Sequence, residues 1–432
     1  VDWGKITSDV TQWGEKAKEL MNEAGSKAQE KIEEAKLRTQ PPITVGPHKI
    51  VKIRKLADGG FSEVFLVRSA DAGSEEEFAL KRMVCQTPAS KADAKAELKL
   101  LKAFGSHPNI INVLGASAKA FTVPGQKRES MEVHLLFPLY KHGTCFDACW
   151  AAIEKKRKAA AASSGPAPAN GSGSGCGSSS NGCGGFGGGG GGGNGGGGSG
   201  GGSGGSSFSS GSMWPFPESE LVRVLTGVAR ALKAMHDKGY AHRDVKPHNV
   251  LLAADGTPVL MDFGSAELCR RDVAVKADAA KVEDDASTKC SAPYRAPELT
   301  EVRWPCSLDE SVDCWSLGCT AFAMAFEGQG PFESEIEGVK RLAILNGKYL
   351  WPAGNRNSFG CKYSPAFAQL VDRMLSLEAV KRPTMAEVVA SLTCLAQGKP
   401  LPQPVPRLPA DIAEADAAAA EAAEAAAAAE AA

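Results

Sequence analysis

Residues 242–249 read His-Arg-Asp-Val-Lys-Pro-His-Asn, and Asp262-Phe263-Gly264 begins eighteen residues after Asp244, directly behind an apolar stretch. No other part of the chain restricts its fold so strongly. A loop that carries a carboxylate, a lysine and a carboxamide has to be held close to a second carboxylate at the end of a strand. Such a set suits phosphoryl transfer, which asks for positioning and charge more than for covalent chemistry. Asp244 fits the carboxylate that orients a hydroxyl and takes its proton. Lys246 fits the cation on the transferred phosphate. Asn249 and Asp262 offer oxygens to a hard cation such as Mg²⁺. A His-Arg-Asp tripeptide alone arises by chance, and a lone Asp-Phe-Gly is more often a turn. Their order and offsets argue against both readings.

Three further segments join this set. Lys81 lies in the apolar run Phe78-Ala79-Leu80-Lys81-Arg82. A lysine on a buried strand costs desolvation unless it is paired. Glu97, on the next helical segment, is the best partner, with Asp93 and Glu132 as nearby alternatives. Leu56-Ala57-Asp58-Gly59-Gly60-Phe61-Ser62-Glu63-Val64 joins two strand-like runs. Its glycines allow backbone N–H groups to approach phosphates, although Ala57 and Ser62 stand where a GxGxxG loop has glycine. Glu298 of Ala296-Pro297-Glu298 and the distant Arg382 suit a buried structural ion pair. Asp313 opens a very apolar helix and is placed to accept backbone hydrogen bonds from the loop around Asp244.

The organisation agrees with this chemistry. Periodicity predicts strands at Lys49–Leu56, Val64–Arg68, Glu77–Met83, Ile111–Ala116 and Met131–Phe137, with a helix at Lys91–Phe104. After residue 143 the pattern turns helical to about Lys158, and it is helical again over Glu218–Lys238. Short strands are expected at Val250–Leu252 and Pro258–Met261, then a long loop to Pro297, then helices to Ala396. A β-rich unit of about 90 residues therefore precedes a helical unit, the α+β pattern of two lobes with a cleft between them. Residues 163–212 are mostly Gly and Ser and read as a disordered insertion, within which Cys176 and Cys183 are incidental. A Pro-rich spacer and an Ala/Glu-rich tail fill 400–432.

Composition narrows the partners. The 432 residues carry a net charge of −1 with no strongly basic block, which argues against nucleic-acid binding. The twelve cysteines are scattered, without CxxC pairs, and read as reduced thiols in a cytoplasmic setting. No apolar run is long enough to span a bilayer.

Taken together these residues resemble the eukaryotic protein kinase family over residues 47–396, with Lys246 pointing to the Ser/Thr class. The finer resemblance is to the Numb-associated kinase family, in its branch of myristoylated and palmitoylated Ser/Thr kinases. It is carried by Gly59-Gly60-Phe61-Ser62, Ala79-Leu80-Lys81-Arg82, His107-Pro108-Asn109-Ile110, Lys238-Gly239-Tyr240-Ala241-His242-Arg243-Asp244, Pro258-Val259-Leu260-Met261-Asp262 and Tyr294-Arg295-Ala296-Pro297-Glu298-Leu299. The resemblance implies a bilobal kinase fold: an N-lobe at 47–137, a hinge at 137–140 and a C-lobe at 141–396. It implies ATP and Mg²⁺ as cofactors and protein Ser/Thr hydroxyls as acceptors. Leu56, Ala57, Gly59, Gly60, Val64, Ala79, Lys81 and Glu97 would then surround the nucleotide. Phe137 would be the gatekeeper, and adenine would bond the carbonyl of Pro138 and the N–H of Tyr140. Phe263 and Gly264 would shape the activation segment, and Ser291 would bond near Asp244. The branch is lipid-anchored and works around the Golgi, so an endomembrane surface and a role in vesicle trafficking are expected; the first cysteine here is Cys85. Readings of the chain as a pseudokinase scaffold or a membrane-associated adaptor compete with catalysis.

Two expectations concern regulation and partners. Arg243 beside Asp244 predicts a loop that pairs with a phosphorylated activation segment, with Ser287 or Thr288 as the acceptor. Residues 1–36 read as one amphipathic helix, with Trp3, Ile6, Val10, Trp13 and Leu20 on one stripe. Eight acids against six lysines favour contact with protein over anionic lipid.

Overall fold

The computed structural model describes residues 29, 31–58, 62–122, 129–163, 216–334 and 336–405. The Gly/Ser insertion, the tail beyond residue 405, residues 1–28 and Gly59, Gly60 and Phe61 lie outside the described residues.

The N-lobe is a six-stranded antiparallel sheet in the order β1-β2-β3-β4-β6-β5. Its strands are β1 (Ile43–Val45), β2 (His48–Asp58), β3 (Ser62–Ser69), β4 (Glu77–Cys85), β5 (Gly115–Thr122) and β6 (Glu129–Pro138). Alternation along β4 sends Phe78 and Leu80 to an outer apolar cluster with Val45, Ile50, Phe65, Val67 and Leu136. Ala79 and Lys81 therefore face the cleft. The outer cluster also receives Leu37 from the helical residues 31–38, so this end of the N-terminal helix docks on the lobe. Helix α1 (Pro88–Phe104) starts earlier than its periodicity predicts. Thr87 caps it in a capping box with Ser90, and Pro88 occupies the first turn. Its buried stripe of Ala94, Glu97, Leu100, Leu101 and Phe104 contains one acid, and that acid faces the cleft.

The C-lobe is built around α6 (Ser311–Ala325), which follows the short α5 (Pro297–Thr300) and in which every residue is buried. Helices α2 (Cys145–Ser163) and α3 (Glu218–His236) pack against α6 within the lobe. The predicted stripe of α3, Leu221, Val224, Leu225, Val228, Leu232 and Met235, is buried throughout. Gly227 lets this helix approach the strand that begins at Pro258: a Cβ there would stand 2.3 Å from the ring of Pro258. After the undescribed insertion the chain is anchored at once. Phe216 is fully buried, its carbonyl accepts from Tyr363 Oη at 2.9 Å, and Ser364 Oγ donates to Glu218 at 2.8 Å. Two short pairs, β7 (Tyr240–Ala241) with β10 (Glu267–Leu268), and β8 (Val250–Leu252) with β9 (Pro258–Leu260), carry the loops of the site.

Two expectations are corrected. The apolar run 110–114 does not open a sheet strand. Ile111 N–H donates to Leu260 O and Leu260 N–H to Asn109 O, so the run is buried by tying the lobes together at β9. The segment from Asp262 to Pro297 is not one long loop. It holds α4 (Lys276–Lys289) and β11 (Arg271–Val273), which pairs with β12 (Cys306–Leu308). Helix α4 lacks Gly and Pro, and it buries only Ala279, Val282 and Ala286. A stripe made mostly of alanine gives a weak periodic signal, which is why pattern reading misses it.

Candidate active site

A cavity of about 1260 Å³ opens between the lobes. Leu56, Ala57, Val64, Ala79, Lys81, Glu97, Pro138, Tyr140, Asn249 and Asp262 all line it, as does Phe137. The sequence residues named for nucleotide contact are thus brought together, apart from Gly59 and Gly60, which lie outside the described residues. Leu139, Leu251, Met261 and Ile111 complete its apolar walls. Sequence reasoning does not single them out, since ordinary apolar residues carry no chemical mark.

Lys81 resolves its own partner. Its Nζ lies 2.7 Å from Glu97 Oε1 and 3.0 Å from Asp262 Oδ1. The alternatives are engaged elsewhere, Glu132 by Arg82 and Asp93 by Lys289 at 3.5 Å. Burial works against the charge on Lys81, but Asp262 and Glu97 outweigh it and raise its pKa above the usual lysine value. Lys81 in turn holds the Asp262 carboxyl down at about 2. The Asp262 side chain remains 46% exposed to the cleft, so its second oxygen faces incoming ligand.

Asp262 has φ 64°, and so belongs to the left-handed region that non-glycine residues avoid. Phe263 anchors it, packed between Phe104 of α1, with ring centroids 6.4 Å apart, and His242 at 5.4 Å. Arg243 is strained in the same way, with φ 65°. Such conformations cost about 1–3 kcal/mol each and persist only where neighbours impose them. The neighbour here is Asp313, fully buried at the start of α6. It accepts from Arg243 N–H and His242 N–H at 2.7 Å each, and its Oδ2 lies 2.8 Å from His236 Nε2. Burial alone would raise this carboxyl, yet the His236 contact and the nearby ring and backbone donors lower it. A buried anion thus fixes the backbone just before Asp244.

Asp244 accepts three hydrogen bonds. Ser291 N–H reaches Oδ1 at 2.9 Å, while Lys246 Nζ and Asn249 Nδ2 reach Oδ2 at 2.8 and 2.9 Å. A carboxylate has about four lone-pair sites, so one remains on Oδ1 for an acceptor hydroxyl. Lys246 also donates to Ser291 Oγ at 2.6 Å, which ties the catalytic loop to the acceptor side. Because Asn249 uses its amide nitrogen on Asp244, its carbonyl oxygen is left for a cation. Asn249 and Asp262 together give two oxygen donors. Among the described residues no group of three or more His, Cys, Asp or Glu side chains forms a metal cage. Two protein oxygens plus phosphates are what Mg²⁺ commonly takes, so the residues fit that ion with a nucleotide.

The remaining predicted residues hold the frame. Glu298 and Arg382 form a bidentate pair at 2.6 and 2.8 Å, with Arg382 almost fully buried. Arg243 faces side chains of the activation segment. Its guanidinium contacts Glu267 and lies 3.2 Å from Asp285 on α4. Lys289 joins both acids and reaches Asp93 on α1. The hydroxyls of Ser287 and Thr288 bond Asp284 O along the exposed side of α4. The charges facing Arg243 are therefore side-chain carboxylates already present, which the sequence could not pair before α4 was known.

The description "Protein kinase domain" matches residues 205–392. The chain is similar to serine/threonine-protein kinase 16 of Mus musculus, 30% identical over 354 residues, which covers 82% of this chain and 92% of that protein. Its similarity to serine/threonine-protein kinase 16 of Homo sapiens has the same identity and coverage. Serine/threonine-protein kinase ENV7 of Saccharomyces cerevisiae is 33% identical over 153 residues, 35% of this chain and 40% of the relative.

Proposed function

The chain belongs to the protein kinase family as a Ser/Thr protein kinase, and on that premise we propose that it is a Numb-associated-type kinase acting on proteins at endomembrane surfaces. The observation that carries catalysis is the free lone pair on Asp244, framed by three donors and set beside Lys246. When bound, ATP with Mg²⁺ supplies the transferable phosphoryl group and neutralises part of its charge. Asp244 orients the Ser or Thr hydroxyl and takes its proton. The hydroxyl oxygen bonds the γ-phosphorus as the bridging P–O bond to the β-phosphate breaks and ADP leaves, and Lys246 would place positive charge beside the transferred phosphoryl group. Lys81, fixed by Glu97, holds a cation over the phosphate side, and Asn249 and Asp262 present the oxygens that would hold Mg²⁺. Apolar walls at Val64, Ala79 and Leu251 exclude water and strengthen these charges.

The family branch rests on the residue segments that resemble it, and the endomembrane setting on what that branch does. Contact of residues 1–36 with protein or membrane belongs to the same proposal. Labelling separated membrane and cytosolic fractions with the kinase and radiolabelled ATP tests it, using Asp262→Ala as the blank. Phosphate enriched on membrane-associated proteins is the expected outcome; equal labelling of both fractions would sink the trafficking reading and leave the transferase activity standing.

A further inference from the structure

The strands that flank the Gly59-Gly60 loop carry charge on the face turned away from the nucleotide. On the cleft face stand Leu56, Ala57, Val64 and Lys81. Glu63 and Arg82 lie directly opposite each other on β3 and β4. Alternation puts them on the outer face with Phe65 and Leu80. Glu63 uses both carboxylate oxygens there. Lys55 Nζ donates to Oε1 at 2.7 Å, and Arg82 Nη1 donates to Oε2 at 2.7 Å. Lys55 also reaches Asp58 at 2.9 Å, and Arg82 goes on to Glu132 of β6. A chain of ion pairs therefore runs from the base of the loop to β6, behind the strand that carries Lys81.

Its first links bracket the loop. Asp58 and Glu63 are the last residues that pair β2 with β3, and only residues 59–62 lie between them. Lys55 holds both. The pairing needs such a hold, because the register of β2 slips at Leu56, which has no partner on β3. Leu56 and Ala57 both line the cleft as a result. A bulge of this kind disrupts the ladder and twists the strand. Gly59-Gly60 brings no side chain that could pack. A loop that closes on phosphates loses freedom when it binds, and any part of it ordered beforehand lowers that cost. Lys55, Glu63 and Arg82 do not themselves line the cleft, so they reach the nucleotide only through the loop.

We propose that Lys55 and Glu63 are positioning residues: their ion pair, braced by Arg82, closes the base of the phosphate-covering loop and sets how tightly the kinase holds ATP and ADP. This deepens the nucleotide-binding part of the transferase reading and rests on it.

The test measures initial rates with ATP varied and a pool of synthetic Ser peptides held at saturation. Lys55→Met is expected to raise KM for ATP about threefold to fivefold, the scale of one or two partly exposed ion pairs, with kcat within about twofold and the dependence on peptide unchanged. Titration calorimetry with Mg²⁺ and ADP should show the same loss of affinity. Lys55→Arg, which keeps the charge, retains most of the native KM. Glu63→Gln acts like Lys55→Met, and the double variant is little worse than Glu63→Gln alone, because both changes remove the same pair. Lys348→Met, exposed in the other lobe, keeps the native values. Circular dichroism melting without nucleotide should place every variant within about 2 °C of the native protein. An unchanged KM for ATP in Lys55→Met, losses that add in the double variant, or a joint fall of kcat and melting temperature overturns the clasp alone. No phosphate transfer by the native protein overturns the transferase reading, and the ADP affinity of Lys55→Met then decides the clasp by itself.

Discussion

The catalytic loop and the activation segment meet at Arg243, and they are held in opposite ways. The loop is fixed from below by a buried anion. Asp313 binds two backbone N–H groups and His236 where water does not reach. The activation segment is fixed from the side by ion pairs among Arg243, Glu267, Asp285 and Lys289, whose carboxylates are about a quarter to a third exposed. Buried backbone bonds leave the loop no second arrangement of similar energy. Partly exposed ion pairs are individually weak and screened by salt, so they hold a segment in a way that conditions adjust. The reacting groups sit on the rigid element, and the adjustable one carries Ser291, which touches Asp244.

That contrast can be broken most sharply at its rigid end. Asp313→Ala leaves two strained N–H groups and His236 without their acceptor. Urea unfolding should show a loss of about 3–5 kcal/mol. Peptide phosphorylation should fall below detection, and a variant with near-native turnover would show that α6 does not hold the loop. Asp244→Asn, the next largest, should lower turnover by roughly 10²–10⁴ with the unfolding midpoint unchanged. A parallel loss of stability there would mean that Asp244 is part of the frame.

At the adjustable end, Glu267→Gln combined with Asp285→Asn should reduce turnover about tenfold while unfolding free energy moves by less than about 1 kcal/mol. Native turnover should also fall as salt rises, and the double variant should lose that salt response. A salt-independent native enzyme would erase the distinction between the two regions.

The smallest effect is that of pH on stability. Burial lowers the pKa values of His107, His134 and His248 from the ordinary 6.5. The unfolded chain therefore takes up protons first as pH falls, so the stability these rings contribute is full above 6.5 and is lost below it. The melting temperature should drop by roughly 2–5 °C between pH 7 and pH 5.5, and His134→Gln with His248→Gln should flatten the slope. A melting temperature that rises on acidification would contradict the neutral state of these rings.

Much of the site is legible in the sequence because its chemistry demands particular residue types at short offsets. Asp244, Lys246 and Asn249 lie on one loop, and Asp262 closes the next strand. Chain connectivity alone keeps such residues near each other. The α+β order of lobes is legible for a similar reason, since alternation along β4 and the apolar stripe of α3 are local patterns. Partners far apart in the chain are different. Lys81 had three acids within reach on paper, and only the packing of α1 against the sheet selects Glu97. Helix α4 hides behind an alanine stripe, and with it the carboxylates that answer Arg243. The sequence by itself determined the reaction, because chemistry is written in residue types and short spacings. Only the tertiary structure decided which charges face one another and which side chains line the cleft, because burial and contact depend on elements that the chain brings together from a distance.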